Sequence, residues 1–112
     1  MKGSQLGEFE ELVLLVVGVL GQSAYGVSVT EEIEKQTGRG VSLSAVHTAL
    51  YRLEEKSFIN SVIGGATQKR GGRRKRLYTI TSAGKANLNQ IRLVRNRLWD
   101  LIPQSKLNLG DA

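Results

Sequence analysis

Six cations crowd into eight positions of this chain: Lys69, Arg70, Arg73, Arg74, Lys75 and Arg76. Guanidinium and ammonium groups at that density suit one kind of chemistry, neutralising a polyanion, and arginine adds bidentate hydrogen bonds to phosphate. The charge is unevenly spread. Residues 1–65 hold five Lys/Arg against eight Glu, whereas residues 66–112 hold eleven against two Asp, so the net +6 understates the asymmetry. Nucleic acid is the first partner this suggests and an anionic membrane the second, with a solvated loop as the plain alternative.

A second set of residues has helical spacing. Ser44, His47, Thr48, Tyr51 and Glu55 cluster on one side of a turn-repeating segment, with Arg52 at the edge of the cluster. Hydroxyl, imidazole and phenol groups in such a row can meet base edges and phosphates. His47 is the only histidine and there is no cysteine, which excludes a histidine triad, a thiolate nucleophile, a disulfide and a histidine-rich metal site. Glu31, Glu32 and Glu34 read as an exposed helix face. Gly64-Gly65 and Gly71-Gly72 lack the Lys-Ser/Thr that would make a phosphate loop. Catalysis therefore has no support in the residues, and neither a cofactor nor a metal is expected.

These groups need elements to hold them, and 112 residues allow one compact domain. Glu8 to Leu20 is apolar on nearly every side, the pattern of a helix covered all round, and a partner subunit is the expected cover. The run Leu12–Leu20 is far short of the roughly 20 residues a membrane span needs, and acids precede it, which points to a soluble intracellular protein. Gly26 to Thr37 reads as a shorter helix with Val29 and Ile33 inward and Gly38 at its end. Ser42 caps a third helix whose Leu43, Val46, Ala49, Leu50 and Leu53 share the face opposite the polar row. Phe58–Ile63 and Arg76–Ile80 are strands of a hairpin joined by the basic, glycine-bearing loop. Thr81 or Ser82 starts a long helix to about Ile102, with Ala83, Ala86, Ile91, Val94, Leu98, Leu101 and Ile102 as its apolar stripe. Pro103 ends it, and 103–112 read as a loose tail.

The fold class expected is mainly α with a small β-hairpin: a winged helix-turn-helix over residues 6–81 plus a long C-terminal dimerisation helix over 82–102. In that arrangement the third helix enters the major groove and the hairpin loop lies along the duplex. Three stretches make a resemblance specific. Ala24-Tyr25-Gly26, SAVHTALYRLEEKSFI (Ser44–Ile59) and GGRRKRLYTITSAGK (Gly71–Lys85) together resemble the PadR family of bacterial transcriptional regulators, in its short form, over roughly residues 6–102. His47 stands where the family commonly has tyrosine, and Ser57 where it has glycine.

The resemblance implies a homodimeric repressor of the bacterial cytoplasm that binds a double-stranded DNA operator and is released by a small-molecule inducer. DNA contacts then fall to Ser44, His47, Thr48, Tyr51, Arg52, Lys69, Arg70, Arg73, Arg74, Lys75 and Arg76. The dimer interface falls to Phe9, Leu12, Val13, Val16, Ile91, Val94, Leu98, Trp99 and Ile102. Trp99 has two readings: an aromatic anchor in the dimer core, or, by likeness to the family's drug-binding branch, the lining of a pocket for a small aromatic inducer. The alternatives from other classes are a winged-helix protein-interaction module and an RNA-binding domain. The polar third-helix face argues against the first, and the scarcity of stacking aromatics against the second.

Overall fold

A computed structural model describes residues 5–64 and 74–104. The elements are α1 (Glu8–Leu20), a 3₁₀ turn (Gly21–Ser23), α2 (Gly26–Thr37), α3 (Leu43–Glu55), β1 (Ile59–Ile63), β2 (Arg76–Ile80) and α4 (Ser82–Leu101). The basic-loop residues Lys69, Arg70 and Arg73, the pair Gly71-Gly72, and the tail beyond Gln104 lie outside the described residues.

Local chemistry accounts for the boundaries. Ser42 Oγ accepts the Ala45 N–H at 3.1 Å and so caps α3. Gly38, at φ 75°, ends α2 and returns its N–H to the Glu34 carbonyl at 2.8 Å. The chain leaves α3 through a Schellman turn: Ser57 N–H bonds to Glu54 O and Phe58 N–H to Leu53 O, both at 3.0 Å. That turn holds Ser57 at φ 65°, a left-handed conformation for a residue with a side chain. It also uses the Phe58 N–H, so β1 begins at Ile59 rather than at Phe58 as the apolar run suggests.

α1, α2 and α3 pack around one core with the hairpin closing a side. Val13, Leu14, Val17, Val29, Ile33, Val46, Leu50, Leu53 and Ile59 are fully buried. The antiparallel hairpin pairs Ile59 with Ile80 and Ser61 with Tyr78. On its other edge β2 bonds to the segment before α2, Tyr78 N–H to Ala24 O at 2.9 Å. Burial raises the Tyr78 phenol's pKa above its usual value; nearby Arg76 lowers it and Glu54 adds to the rise.

The acids that open α1 tie the helices together. Glu8 meets Arg39 at 2.8 Å, Glu10 meets Lys56 at 2.7 Å and Glu11 meets Arg95 of α4 at 3.1 Å. Exposed pairs of this kind contribute only about 0.2–1 kcal/mol each. The Glu10–Lys56 pair is mostly enclosed, and its ammonium also donates to Gln5 O at 2.9 Å.

α4 starts under a close clamp. Thr81 Oγ1 accepts from Gly84 N–H at 3.0 Å and donates to Ser57 O at 2.7 Å. Gly84 presses against the Phe58 carbonyl and a Cβ there would also stand 2.9 Å from Ile80 Cγ1, so only glycine lets the helix approach this closely. Gly84 and Leu88 form the docking face, and Ile91 one turn on is half-buried. Ala83 and Ala86, expected in the apolar stripe, are instead exposed, because the approach is set by a missing side chain rather than by the largest apolar ones.

Two expectations about covering surfaces are corrected. Val13 and Val16 lie inside the protomer's own core, and Phe9 and Leu12 pack against that core. Val13 and Val16 are thus closed off by their own chain, while Phe9 and Leu12 stay half-buried at the edge of that core. With α2, α3, β2 and α4 all against it, α1 is enclosed on most sides by its own chain, and the apolar residues it leaves outward are Leu15 and Val19. Leu43, expected in the core, is exposed at the first turn of α3. Among the described residues no single helix is long and apolar enough to cross a membrane.

Candidate nucleic-acid interface

α3 is held by its inner face, so its outer face is free to be polar. Val46, Ala49, Leu50 and Leu53 are buried, and deleting one such side chain to alanine typically costs about 2–5 kcal/mol for the larger residues. Opposite them Ser44, His47, Thr48 and Tyr51 are all exposed, Tyr51 by 65%. Thr48 Oγ1 donates to the Ser44 carbonyl at 3.1 Å, which leaves its lone pairs and methyl outward. Ser44 Oγ lies 3.3 Å from Ser42 Oγ, so the first turn presents two neighbouring hydroxyls.

Arg52 departs from the row. Its guanidinium is 3.7 Å from the Glu10 carboxylate, on the α1 side of the helix.

The root of the wing is tied to both helices of the helix-turn-helix. Lys75 Nζ sits 4.0 Å from the centre of the Tyr25 ring, a cation–π contact onto the residue before α2. Arg76 Nη1 donates to Ser61 Oγ at 2.9 Å, and Ser61 Oγ donates to Glu54 of α3 at 2.7 Å. Arg76 is therefore engaged in holding the hairpin to the end of α3, while Arg74 is exposed. Tyr25 itself is fixed by its backbone: its N–H bonds to Ser28 Oγ at 2.9 Å, and that hydroxyl donates to Ser23 O at 2.7 Å. The Arg76–Ser61 and Lys75–Tyr25 links were not legible as site features, since each joins positions 15 or more residues apart.

α1 and α4 bound a cleft of about 740 Å³, lined among others by Leu15, Val19, Leu88, Arg92, Arg95 and Trp99. Trp99 is 60% exposed, and Leu98 and Leu101 beside it 57% and 69%. Ile91 is half-buried, and Val94 and Ile102 sit at the lower end of exposure.

Three helices, a hairpin against the third, and a basic root to that hairpin define a winged helix-turn-helix regulator. Residues 13–90 match the PadR-like family of transcriptional regulators, and the chain belongs to that family, whose members are transcription regulators and not enzymes. It is similar to an uncharacterised protein of Lysinibacillus sphaericus, 30% identical over 87 residues that make up 76% of this chain and 75% of the other. Its fold matches a PadR family transcription regulator of Clostridium difficile with a TM-score of 0.71 at 21% identity, over 85% of this chain and 94% of that one. It also matches Bacillus subtilis PadR, solved in complex with operator DNA, with a TM-score of 0.62 at 18% identity, over 89% of this chain and 50% of that one.

Proposed function

We propose that this protein is a homodimeric, sequence-specific binder of double-stranded DNA that represses transcription in the bacterial cytoplasm and is released by a small aromatic inducer. One observation carries the DNA reading. The adjacent residues Tyr25 and Gly26 lie, respectively, against Lys75 at the wing root and beneath the His47 ring tip on α3, so the root of the hairpin loop and the polar helix face meet at the start of α2. Residues 6–81 then form the DNA-binding unit and helix 82–102 the dimerisation unit. Ser44, His47, Thr48 and Tyr51 meet base edges and nearby phosphates, while Arg74, Lys75 and the remaining loop cations neutralise backbone. Arg76 and Arg52, engaged within the protein, contribute field rather than direct contact.

The exposed apolar residues of α4 and the outward flank of α1 support the dimer, since such a surface in water invites a partner. Trp99 in the cleft supports the inducer, because a volume of this order suits a small aromatic compound. Selection of duplexes from a random library, followed by salt titration on the preferred site, tests the DNA reading. Roughly eight neutralised phosphates per dimer give a log–log slope of about −7. Arg74→Ala with Lys75→Ala should flatten the slope on preferred and random duplexes alike. No selected site, or equal binding of single-stranded RNA, overturns it.

A further inference from the structure

The first residue of α2 lies beneath the α3 face proposed to read DNA. Gly26 is buried, and a Cβ built on it would stand 2.7 Å from His47 Cε1, 2.9 Å from His47 Nε2 and 3.3 Å from Leu43 Cδ1. Distances under 3.0 Å are not tolerated, so any side chain at Gly26 displaces the tip of His47. The backbone does not demand glycine: Gly26 is absent from the positive-φ positions, which among the described residues are Gly21, Gly38 and Ser57. Alanine would in fact suit a helix better than glycine. What a side chain here would meet first is the imidazole, with Leu43 Cδ1 next.

We propose that Gly26 is a specificity-determining positioning residue: it seats the His47 ring tip against the start of α2 and thereby fixes how α3 presents that ring to a base edge. The inference rests on the DNA reading above and deepens it. His47 is exposed, yet its tip is not free, so its direction is set by α2 and not by rotamer preference on α3 alone. A direction fixed before binding removes an ordering cost when the complex forms. Because the obstructing atoms are the end of a side chain that can turn, filling Gly26 re-aims His47 while leaving the core intact.

The test compares the unmodified protein, Gly26→Ala, His47→Ala and the double variant on the selected duplex and on random duplex, with thermal unfolding of each. His47 is the chain's only histidine, so its imidazole NMR cross-peaks need no assignment and report the ring's surroundings without DNA. In Gly26→Ala the cross-peaks should move, affinity for the selected duplex should fall about tenfold and affinity for random duplex less than twofold, as expected when one base contact is lost. In the His47→Ala background Gly26→Ala should change affinity less than twofold, because the two substitutions remove the same interaction. Unmoved cross-peaks, losses that multiply in the double variant, or equal losses on both duplexes would overturn the proposal. If Gly26→Ala alone fails to fold, the double variant, free of both contacts under 3.0 Å, must fold and match His47→Ala in affinity. A protein that prefers no duplex at all defeats the DNA reading and this inference together, and the unmodified sample reveals that before any variant is made.

Discussion

α3 and α4 are opposites in surface. α3 buries four apolar residues on one side and exposes hydroxyls, an imidazole and a phenol on the other. α4 buries only Gly84 fully and exposes Leu93, Leu98, Trp99 and Leu101 along its second half. A polar face backed by a complete core is stable in water as it stands and can wait for a ligand. An apolar face without backing is not, and needs cover. Under the proposed function, α3 would supply the reading face and α4 the cover of a second copy.

The sharpest way to break this contrast is to charge both faces. Leu98→Lys with Leu101→Lys should weaken self-association at least a hundredfold, about 3 kcal/mol, in sedimentation equilibrium. Lysine at Ser44 should leave association unchanged. Equal effects, or none, would mean that α4's outer face is not an interface. Next in size is the clamp that holds α4 to the domain. Gly84→Ala drives a methyl into the Phe58 carbonyl and Ile80, and should lower stability by about 3 kcal/mol in denaturant unfolding.

Smaller effects probe the α3 side. Thr48→Ala should cost about 1.5 kcal/mol on the preferred duplex and far less on random DNA, by fluorescence anisotropy. Similar losses on both would move Thr48 to a phosphate contact. Ser57→Gly removes a side chain from a left-handed position at the end of α3 and should raise stability by about 1 kcal/mol, with no change in DNA preference. The smallest expected effect is on pH. Tyr78's raised pKa favours its neutral form in the fold, so stability is level below pH 10.0 and declines as pH rises through the folded-state value. Tyr78→Phe should flatten that alkaline decline.

The elements were visible in the chain because their causes are local. Ser42 as a cap, Thr81 or Ser82 as another, Gly38 as a stop, and 3.6-residue periodicity in α2 and α3 need only near neighbours, and the expected ends of α1, α2 and β2 are those the structure has. The chemistry of α3's outer face was equally legible, since a helix core-facing at Val46, Ala49, Leu50 and Leu53 must turn Ser44, His47, Thr48 and Tyr51 outward.

Tertiary packing decided the rest. An all-round apolar helix does not say which side its own chain will cover, and so Val13 and Val16 turned out to be core while Leu15 and Val19 were left outside. A stripe on α4 does not announce that Gly84, the residue with least to bury, fixes its docking face. Nor could residue types show that Arg76 serves Ser61, that Lys75 rests on Tyr25, or that Gly26 seats His47. These contacts join positions from 15 to 50 residues apart, and side-chain directions at such separations are set by the packed backbone, not by any pattern along the chain.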